Sequence, residues 1–228
     1  MLKKISILLL LAFLIACSST RNSATSKIPG ARVKLTTDSG VIVLRLYNQT
    51  PLHRDNFLKL VKQHYFDSLL FHRVIKNFMI QGGDPASKNA KPGILLGNGG
   101  PSYTIPAEFD TSLFHKKGVL AAAREGDNVN PKKASSGSQF YIVQGKKFTD
   151  AGLDSVETFR LKGRKLPIAH REVYKTIGGA PHLDMNYTVF GEVESGLEVV
   201  DKIAGAARDS NNRPLTDIRM KMKILRKK

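Results

Sequence analysis

The chain has 228 residues, of which 41% are hydrophobic and 24% are charged. This length suits one domain of ordinary size, and the composition excludes wholesale disorder and a collagen-like chain. A single cysteine excludes an internal disulfide framework and a cysteine-cluster metal site. The formal net charge of +17 predicts an anionic contact or strong solubility, and it says nothing about the fold.

The first sixteen residues have the layout of an export signal. Lys3 and Lys4 precede an apolar run over residues 5–16, which is shorter than the roughly 20 residues that a membrane-spanning helix needs. The run ends in Leu14-Ile15-Ala16-Cys17, which resembles the bacterial lipoprotein signal. The resemblance implies cleavage before Cys17 and its modification by acyl chains such as palmitate, and more than one chain gives stable anchoring. The alternatives are an ordinary secretory peptide with an incidental cysteine and a short membrane anchor.

Residues 17–30 are rich in serine, threonine and asparagine, and they lack an apolar pattern. We therefore predict a signal peptide over 1–16, a lipidated flexible tether over 17–30 and one domain over 31–228. The lipoprotein resemblance implies a lipid-anchored protein of the cell envelope. Ser18-Ser19 lack the aspartate that retains some lipoproteins on the inner membrane, so the outer membrane is favoured, with its periplasmic or surface face left open.

Alternating apolar residues and turn signals predict a strand-rich domain. Residues 31–37 and 41–47 flank a short turn and predict a β-hairpin, and Thr50-Pro51 opens a predicted amphipathic helix over 51–63. Short apolar runs from 69 to 145, punctuated by glycine and proline, predict a sheet with long functional loops. Three further elements are expected toward the C-terminus: a strand over 187–193, a helix over 197–204 and a strand over 218–225.

Residues 146–181 interrupt this strand-rich pattern with a strongly basic segment. Leu153 and Val156 have helical spacing, and Pro167 predicts a second short helix that ends near Thr176.

One motif is far more specific than the rest. Residues 71–84 read FHRVIKNFMIQGGD, which resembles the signature of the cyclophilins, the cyclosporin-type peptidyl-prolyl isomerases, at every fixed position. Blocks within 118–142 and 183–193 resemble two further family segments in the same order. The resemblance covers about residues 31–228, apart from a helical insertion at 146–181. It implies a mainly β fold, namely a closed eight-stranded antiparallel barrel capped by two helices.

The resemblance also implies Arg73 as the catalytic residue. Rotation about an X-Pro bond must break amide resonance behind a barrier of ~18–20 kcal/mol, and no bond to carbon forms or breaks. Neither a metal nor a cofactor is therefore expected. In the twisted state the lone pair of the prolyl nitrogen localises, so a cationic donor aimed at that nitrogen stabilises the twisted state more than the planar one. Arginine suits this role because it stays charged and presents a fixed fork of donors.

The remaining site residues are assigned by the same resemblance. The implied walls of an apolar pocket for the proline ring are Phe78, Met79, Tyr141 and Leu183. The implied substrate contacts outside it are Gln81 for the backbone, Ala123, Arg124 and Gln139 along a neighbouring groove, and Tyr187 at the far rim. Without the motif, Phe78, Met79 and Tyr141 would be interpreted as ordinary core residues. Tyr141 stands where the family usually has phenylalanine.

The expected partners are proline-containing unfolded or extended polypeptides and, through the lipid anchor, a membrane. The basic residues could form a nucleic-acid surface, but aromatic residues are not interleaved with them, so no nucleic acid is expected. The chain is expected to be a monomer. The histidines show no metal-ligand spacing.

Two functions remain open from the sequence. The first is an isomerase that assists the folding of exported proteins, and the second is a non-catalytic proline-binding module or holdase on the same barrel. Arg73, Phe78 and Gln81 together favour the enzyme. The basic residues of the insertion are predicted either to border the substrate groove and favour acidic segments or to belong to a structural cap; they are Arg160, Lys162, Arg164, Lys165, Arg171 and Lys175.

Overall fold

The structure is a computed structural model that describes residues 30–225. The predicted signal peptide, Cys17 and all but the last residue of the predicted tether lie outside the described residues. Within residues 30–225, no helix is both long enough and apolar enough to cross a membrane.

Ten strands are present in the described chain: β1 (Arg32–Thr37), β2 (Gly40–Leu46), β3 (Arg73–Ile75), β4 (Met79–Gly82), β5 (Thr104–Ile105), β6 (Val119–Ala122), β7 (Ser135–Ser136), β8 (Phe140–Val143), β9 (Val189–Ser195) and β10 (Met220–Leu225). Eight of them form one antiparallel sheet in the order β10-β1-β2-β9-β6-β8-β4-β3, and β5 pairs with β7. The predicted hairpin over 31–47 is present as β1 and β2.

The large sheet curls into an open half-barrel, so the expectation of a closed barrel is wrong. Strands β3 and β10 stand at the two edges of the sheet order and do not pair with each other. Residues 69–71, just before β3, pair with the segment around Met220. Leu69 and Phe71 form backbone hydrogen bonds to it, and Leu70 forms an isolated bridge. In β3 itself, the backbone N–H of Val74 donates to the carbonyl of Asn212 instead. The ladder therefore stops short of closure.

Four α-helices accompany the sheet in the described chain: α1 (Pro51–Lys62), α2 (Asp150–Ser155), α3 (Ile168–Thr176) and α4 (Leu197–Ala204). The helices α1 and α4 were expected from the sequence, and both pack on the curled sheet. The proline at the first position of α1 has no N–H, and an N–H at this position would have no partner within the helix. Proline therefore suits the start of the helix. Val199, Val200 and Ile203 give α4 an apolar face that is buried against the sheet.

The core has two parts because side chains alternate along the strands. On β8, Phe140 and Ile142 face the main core, where Phe140 meets the ring of Phe57 edge-on at 5.6 Å. Tyr141 and Val143 point the other way, into a second apolar cluster with Met79 and Leu183. Met79, Tyr141 and Leu183 of that second cluster are among the residues predicted to bind substrate. The pleat of β8 therefore places Phe140 in the main core and Tyr141 among the predicted site residues.

The segment 146–181 folds as α2, a turn of π-helix over Val156–Arg160, and α3. In the π turn the N–H of Leu161 donates to the carbonyl of Val156, five residues back instead of four. Leu153, Leu161 and Tyr174 of this segment are buried together and pack against the side chain of Phe114. The insertion thus has a small core of its own, joined to the body of the domain.

Candidate active site

All but one of the predicted site residues line one cavity of about 250 Å³. Its lining consists of Arg73, Phe78, Met79, Gln81, Ala123, Arg124, Tyr141, Leu183 and Tyr187. Of the residues assigned by resemblance to substrate binding, Gln139 lies outside this lining. It lines an adjoining groove of about 400 Å³ instead, together with Gln81, Ala123 and Arg124.

Sheet register brings the central residues of the cavity together. Arg73 of β3 lies opposite Gln81 of β4, and Gln81 lies opposite Tyr141 of β8. Directly opposed residues in antiparallel strands share a face and lie within about 5 Å of one another. Three neighbouring strands therefore present a guanidinium, an amide and a phenol in a row. Asn77, with a φ of 66°, makes the tight turn that folds β4 back on β3.

The guanidinium of Arg73 is half-buried and has no carboxylate partner within the described chain. Its Nη1 donates to Oε1 of Gln81 at 3.1 Å, a neutral acceptor. Burial lowers the pKa of Arg73 below its usual value, yet an arginine in a protein still keeps its charge at neutral pH. The cavity thus contains a partly desolvated positive charge that no anion of the described chain neutralises.

Two glutamines fix the orientation of Arg73 through a directed series of hydrogen bonds. Nε2 of Gln81 donates to Oε1 of Gln139 at 3.1 Å, and Nε2 of Gln139 donates to the carbonyls of Gly97 and Gly99 at 2.8 and 2.7 Å. The buried carboxylate of Asp84 holds the same loop from its other side by accepting the N–H groups of both glycines. Gln139 therefore positions Gln81 and shapes the neighbouring groove.

The phenol of Tyr141 forms the floor of the cavity and is hydrogen-bonded below it. Its oxygen lies 2.9 Å from Nε2 of His115, and Nδ1 of His115 lies 3.0 Å from Oδ1 of Asp184. A carboxylate accepts only, so Nδ1 of the imidazole donates to Asp184; in a neutral imidazole Nε2 is then the acceptor for the hydroxyl of Tyr141. Burial raises the pKa of Tyr141 well above its ordinary value, which keeps the hydroxyl protonated as a donor.

The same carboxylate ties the insertion to the site. The hydroxyl of Tyr174, on α3, donates to both oxygens of Asp184 at 2.9 and 2.7 Å, and the backbone N–H of His115 donates to Oδ1 at 2.9 Å. All three residues are buried. Burial and the neighbouring carboxylate raise the pKa of Tyr174. These residues were not identified from the sequence as site residues, although the Leu183-Asp184 pair was part of the family segment.

The rim of the cavity is held by aromatic contacts. The guanidinium of Arg124 lies 4.7 Å from the ring centre of Tyr187, and its Nε donates to the carbonyl of Asn186. Its side chain is only 4% exposed, so Arg124 supports the rim as well as lining the groove. On the other side, Phe78 packs against His182, with ring centres 5.4 Å apart.

No group of three or more histidine, cysteine or acidic side chains in residues 30–225 has the arrangement of a metal site. The buried His53 and His115 each contact one carboxylate, from Glu108 and Asp184 respectively.

Comparisons with known proteins agree with the geometry. The family model described as "Cyclophilin type peptidyl-prolyl cis-trans isomerase/CLD" matches residues 32–224. A Staphylococcus aureus (strain USA300) protein named as a peptidyl-prolyl cis-trans isomerase is 34% identical over 191 residues, which cover 82% of this chain and 87% of that protein. A Streptococcus pyogenes serotype M6 protein named as a bifunctional phosphatase/peptidyl-prolyl cis-trans isomerase is 36% identical over 195 residues. This second match covers 83% of the chain but 37% of the longer relative.

Solved structures share the fold. The crystal structure of a cyclophilin-type peptidyl-prolyl cis-trans isomerase from Cryptosporidium parvum has a TM-score of 0.64 at 24% identity, covering 87% of this chain and 99% of that one. A second structure of the same protein, in the presence of the dipeptide Ala-Pro, has a TM-score of 0.62. The matched family across most of the described residues, together with the cavity around Arg73, identifies the chain as a member of the cyclophilin-type peptidyl-prolyl cis-trans isomerases.

Proposed function

We propose that the protein is a lipid-anchored isomerase of the cell envelope that assists the folding of exported proteins, with Arg73 driving rotation about the X-Pro bond. The observation that carries the mechanism is the guanidinium of Arg73, which is half-buried, free of any described carboxylate and held by Gln81. Its substrates are proline-containing segments of unfolded or extended polypeptides.

The catalytic step requires only that the twisted amide be bound better than the planar one. The proline ring sits among Phe78, Met79 and Leu183, while the acyl side of the bond turns. As resonance is lost, the lone pair localises on the prolyl nitrogen, and an N–H of Arg73 donates to it. A thousandfold acceleration corresponds to about 4 kcal/mol, which one charge-assisted hydrogen bond and the held ring can supply together.

The alternative is a binding module that holds proline segments without turnover. A protease-coupled isomerisation assay on the domain separates the two functions. We expect catalysis by the wild type and loss of most of the rate in Arg73→Ala, with the fold intact because the side chain lies in an open cavity. Arg73→Lys is also expected to be poor, since an ammonium lacks the fork of donors. A wild-type rate in Arg73→Ala would overturn the mechanism, and peptide binding without turnover would favour the module.

The cellular part of the proposal depends on Cys17, outside the described residues. The apolar run followed by the only cysteine of the chain supports lipidation, and Ser18-Ser19, which lack an aspartate, favour the outer membrane. In Cys17→Ser the thiol is absent, so we expect the protein to be found soluble or uncleaved after fractionation. Recovery of mature-length Cys17→Ser in the membrane fraction would contradict the anchor.

A further inference from the structure

A second cleft, of about 430 Å³, opens beside the cavity around Arg73, which is the site proposed above for the proline ring and is called the proline cavity from here on. The two share Arg124, Leu183 and Tyr187 in their linings. Because the two share these walls, a segment whose proline fills the cavity passes beside the cleft with its flanking residues. The insertion supplies much of the cleft wall, from Arg160 to Arg164.

The cleft is strongly basic. Besides Arg124 it is lined by Lys133, Arg160, Lys162 and Arg164, against the single carboxylate of Asp127. Asp127 is already paired with Arg124 at 2.7 Å. Lys133 and Arg164 donate to neutral oxygens, the side-chain carbonyl of Asn186 and the backbone carbonyl of Asp184 respectively. The side chains of Arg160 and Lys162 form no hydrogen bond or ion pair within the described chain, and both residues are exposed.

The acidic residues of the insertion are engaged elsewhere. All four of them, Asp150, Asp154, Glu157 and Glu172, pair with the basic residues Lys165, Arg171 and Lys175. These three residues are absent from the linings of the cavity, the groove and the cleft, and each has a carboxylate partner within the insertion, which favours the structural-cap alternative for them. Arg160, Lys162 and Arg164 line the cleft without one. The cleft therefore has unpaired basic side chains from the insertion, whereas the acidic side chains of the insertion form ion pairs outside the cleft.

His182 joins the cleft to the proline cavity. It lines the cleft, and its ring packs on Phe78 of the cavity. Burial, and after it the positive charge of Arg160, lowers the pKa of His182 to about 4. The ring is therefore neutral at neutral pH, and the charge of Arg160 acts on a ring that packs against Phe78.

We propose that this cleft binds an acidic side chain that flanks the proline of the substrate, so that the protein prefers X-Pro sites next to aspartate or glutamate. The inference rests on the proposed function for the identity of the substrate. A peptide is favoured over a lipid headgroup as the ligand because the cleft is continuous with the proline cavity.

The test compares two peptides that are identical except for glutamate or glutamine beside the X-Pro bond. Their Kd values are measured by titration at low and high salt, for the wild type and for Arg160→Gln/Lys162→Gln. The matched control is Lys34→Gln/Lys223→Gln, which removes the same charge at exposed register partners on β1 and β10, outside both linings.

We expect the wild type to bind the glutamate peptide about fivefold more tightly at low salt, in keeping with two partly exposed ion pairs. High salt should reduce this ratio, since the Debye length shrinks from about 10 Å at 0.1 M. The ratio should fall toward one in Arg160→Gln/Lys162→Gln and persist in the control. A wild-type ratio near one, or an equal loss in the control, would overturn the inference.

Two further measurements distinguish acidic-peptide binding in the cleft from catalysis in the cavity and from lipid binding. Isomerisation of the glutamine peptide tests the proposed function alone. If this peptide is not turned over, the proposed function is wrong, while the Kd ratio still tests whether the cleft binds acidic side chains. Binding to phosphatidylglycerol-containing vesicles tests the membrane. If Arg160→Gln/Lys162→Gln loses vesicle binding while the two peptides bind equally well to the wild type, the cleft binds lipid headgroups and the inference is wrong.

Discussion

The hydroxyl of Tyr141 lies 2.9 Å from Nε2 of His115, directly beneath the proline cavity. Tyrosine replaces the usual phenylalanine of the family here, and its extra oxygen satisfies a buried imidazole. That imidazole is itself oriented by Asp184. The floor of the cavity is therefore fixed from below by hydrogen bonds as well as by packing.

Removing this hydroxyl should cost stability more than activity. In Tyr141→Phe the ring remains, but Nε2 of His115 loses its partner in a buried position. We expect the free energy of unfolding to fall by about 1–2 kcal/mol, the usual penalty for a buried unsatisfied polar group. Urea unfolding gives this value, and kcat/KM should change far less than in Arg73→Ala. An unchanged midpoint would show that the hydrogen bond does not stabilise the fold.

The hydroxyl of Tyr174 should matter more, because its single proton is shared between both oxygens of a buried carboxylate. We expect Tyr174→Phe to lower the free energy of unfolding by about 2 kcal/mol, as hydrogen bonds to charged groups are the stronger ones. Tyr103→Phe is the matched control, since that hydroxyl donates to Asn56 at an exposed position. A double-mutant cycle with Tyr141→Phe should give an interaction of about 0.5 kcal/mol or more. Strict additivity would contradict a connected network.

A carboxylate at position 81 should inhibit catalysis without removing Arg73. Gln81→Glu places a negative charge on the acceptor of Arg73, and the resulting ion pair competes with the prolyl nitrogen for the guanidinium. We expect kcat/KM to fall by about tenfold, or ~1.4 kcal/mol. The control is Gln81→Met, which removes both side-chain hydrogen bonds of Gln81 and adds no charge. Equal losses in the two variants would show that Gln81 acts only by positioning.

Acidification should destabilise the fold through His72. Burial lowers the pKa of His72 to about 4, from an ordinary value of about 6.5. Between these pH values the unfolded chain binds more protons than the folded one, so the free energy of unfolding falls as the pH drops from about 6.5 toward 4. The loss at low pH is at most about 3 kcal/mol. In urea unfolding against pH, His72→Gln should reduce this dependence without abolishing it, because the pKa of His182 is lowered to about 4 as well.

The insertion should prove necessary for folding. Replacing residues 149–179 with a glycine-serine linker removes Leu153, Leu161 and Tyr174, which are buried together, and leaves Asp184 without its phenol donor. We expect a domain with low solubility or a broad unfolding transition, measured by circular dichroism. A cooperative transition at the wild-type midpoint would show that the insertion is only an appendage.

The sequence predicted the local elements and the cavity, since both depend on short segments. The β1–β2 hairpin and α1 follow from turn residues and spacing, and residues 71–84 contain both the β3–β4 turn and Arg73. Antiparallel register then sets Gln81 between Arg73 and Tyr141. One contiguous motif thus specifies most of the geometry around Arg73 in the cavity.

What the sequence did not predict depends on contacts between distant residues. His115 meets Asp184 across 69 positions, and no spacing rule connects a histidine to a carboxylate at that distance. The open edge of the sheet depends on where residues near Met220 bond to the chain before β3. The division of the insertion's charges depends on helix register, which the π turn changes.

The π turn over Val156–Arg160 has a consequence for how substrate preference could change. Each residue added to or removed from a helix rotates everything beyond it by about 100° about the axis. Deleting one residue here would restore the α-helical spacing and move Arg160 away from the cleft, while no basic residue had been replaced. In this segment, then, the length of the backbone and the composition of its side chains are separate determinants of specificity, and related chains of equal charge could differ in which proline sites they favour.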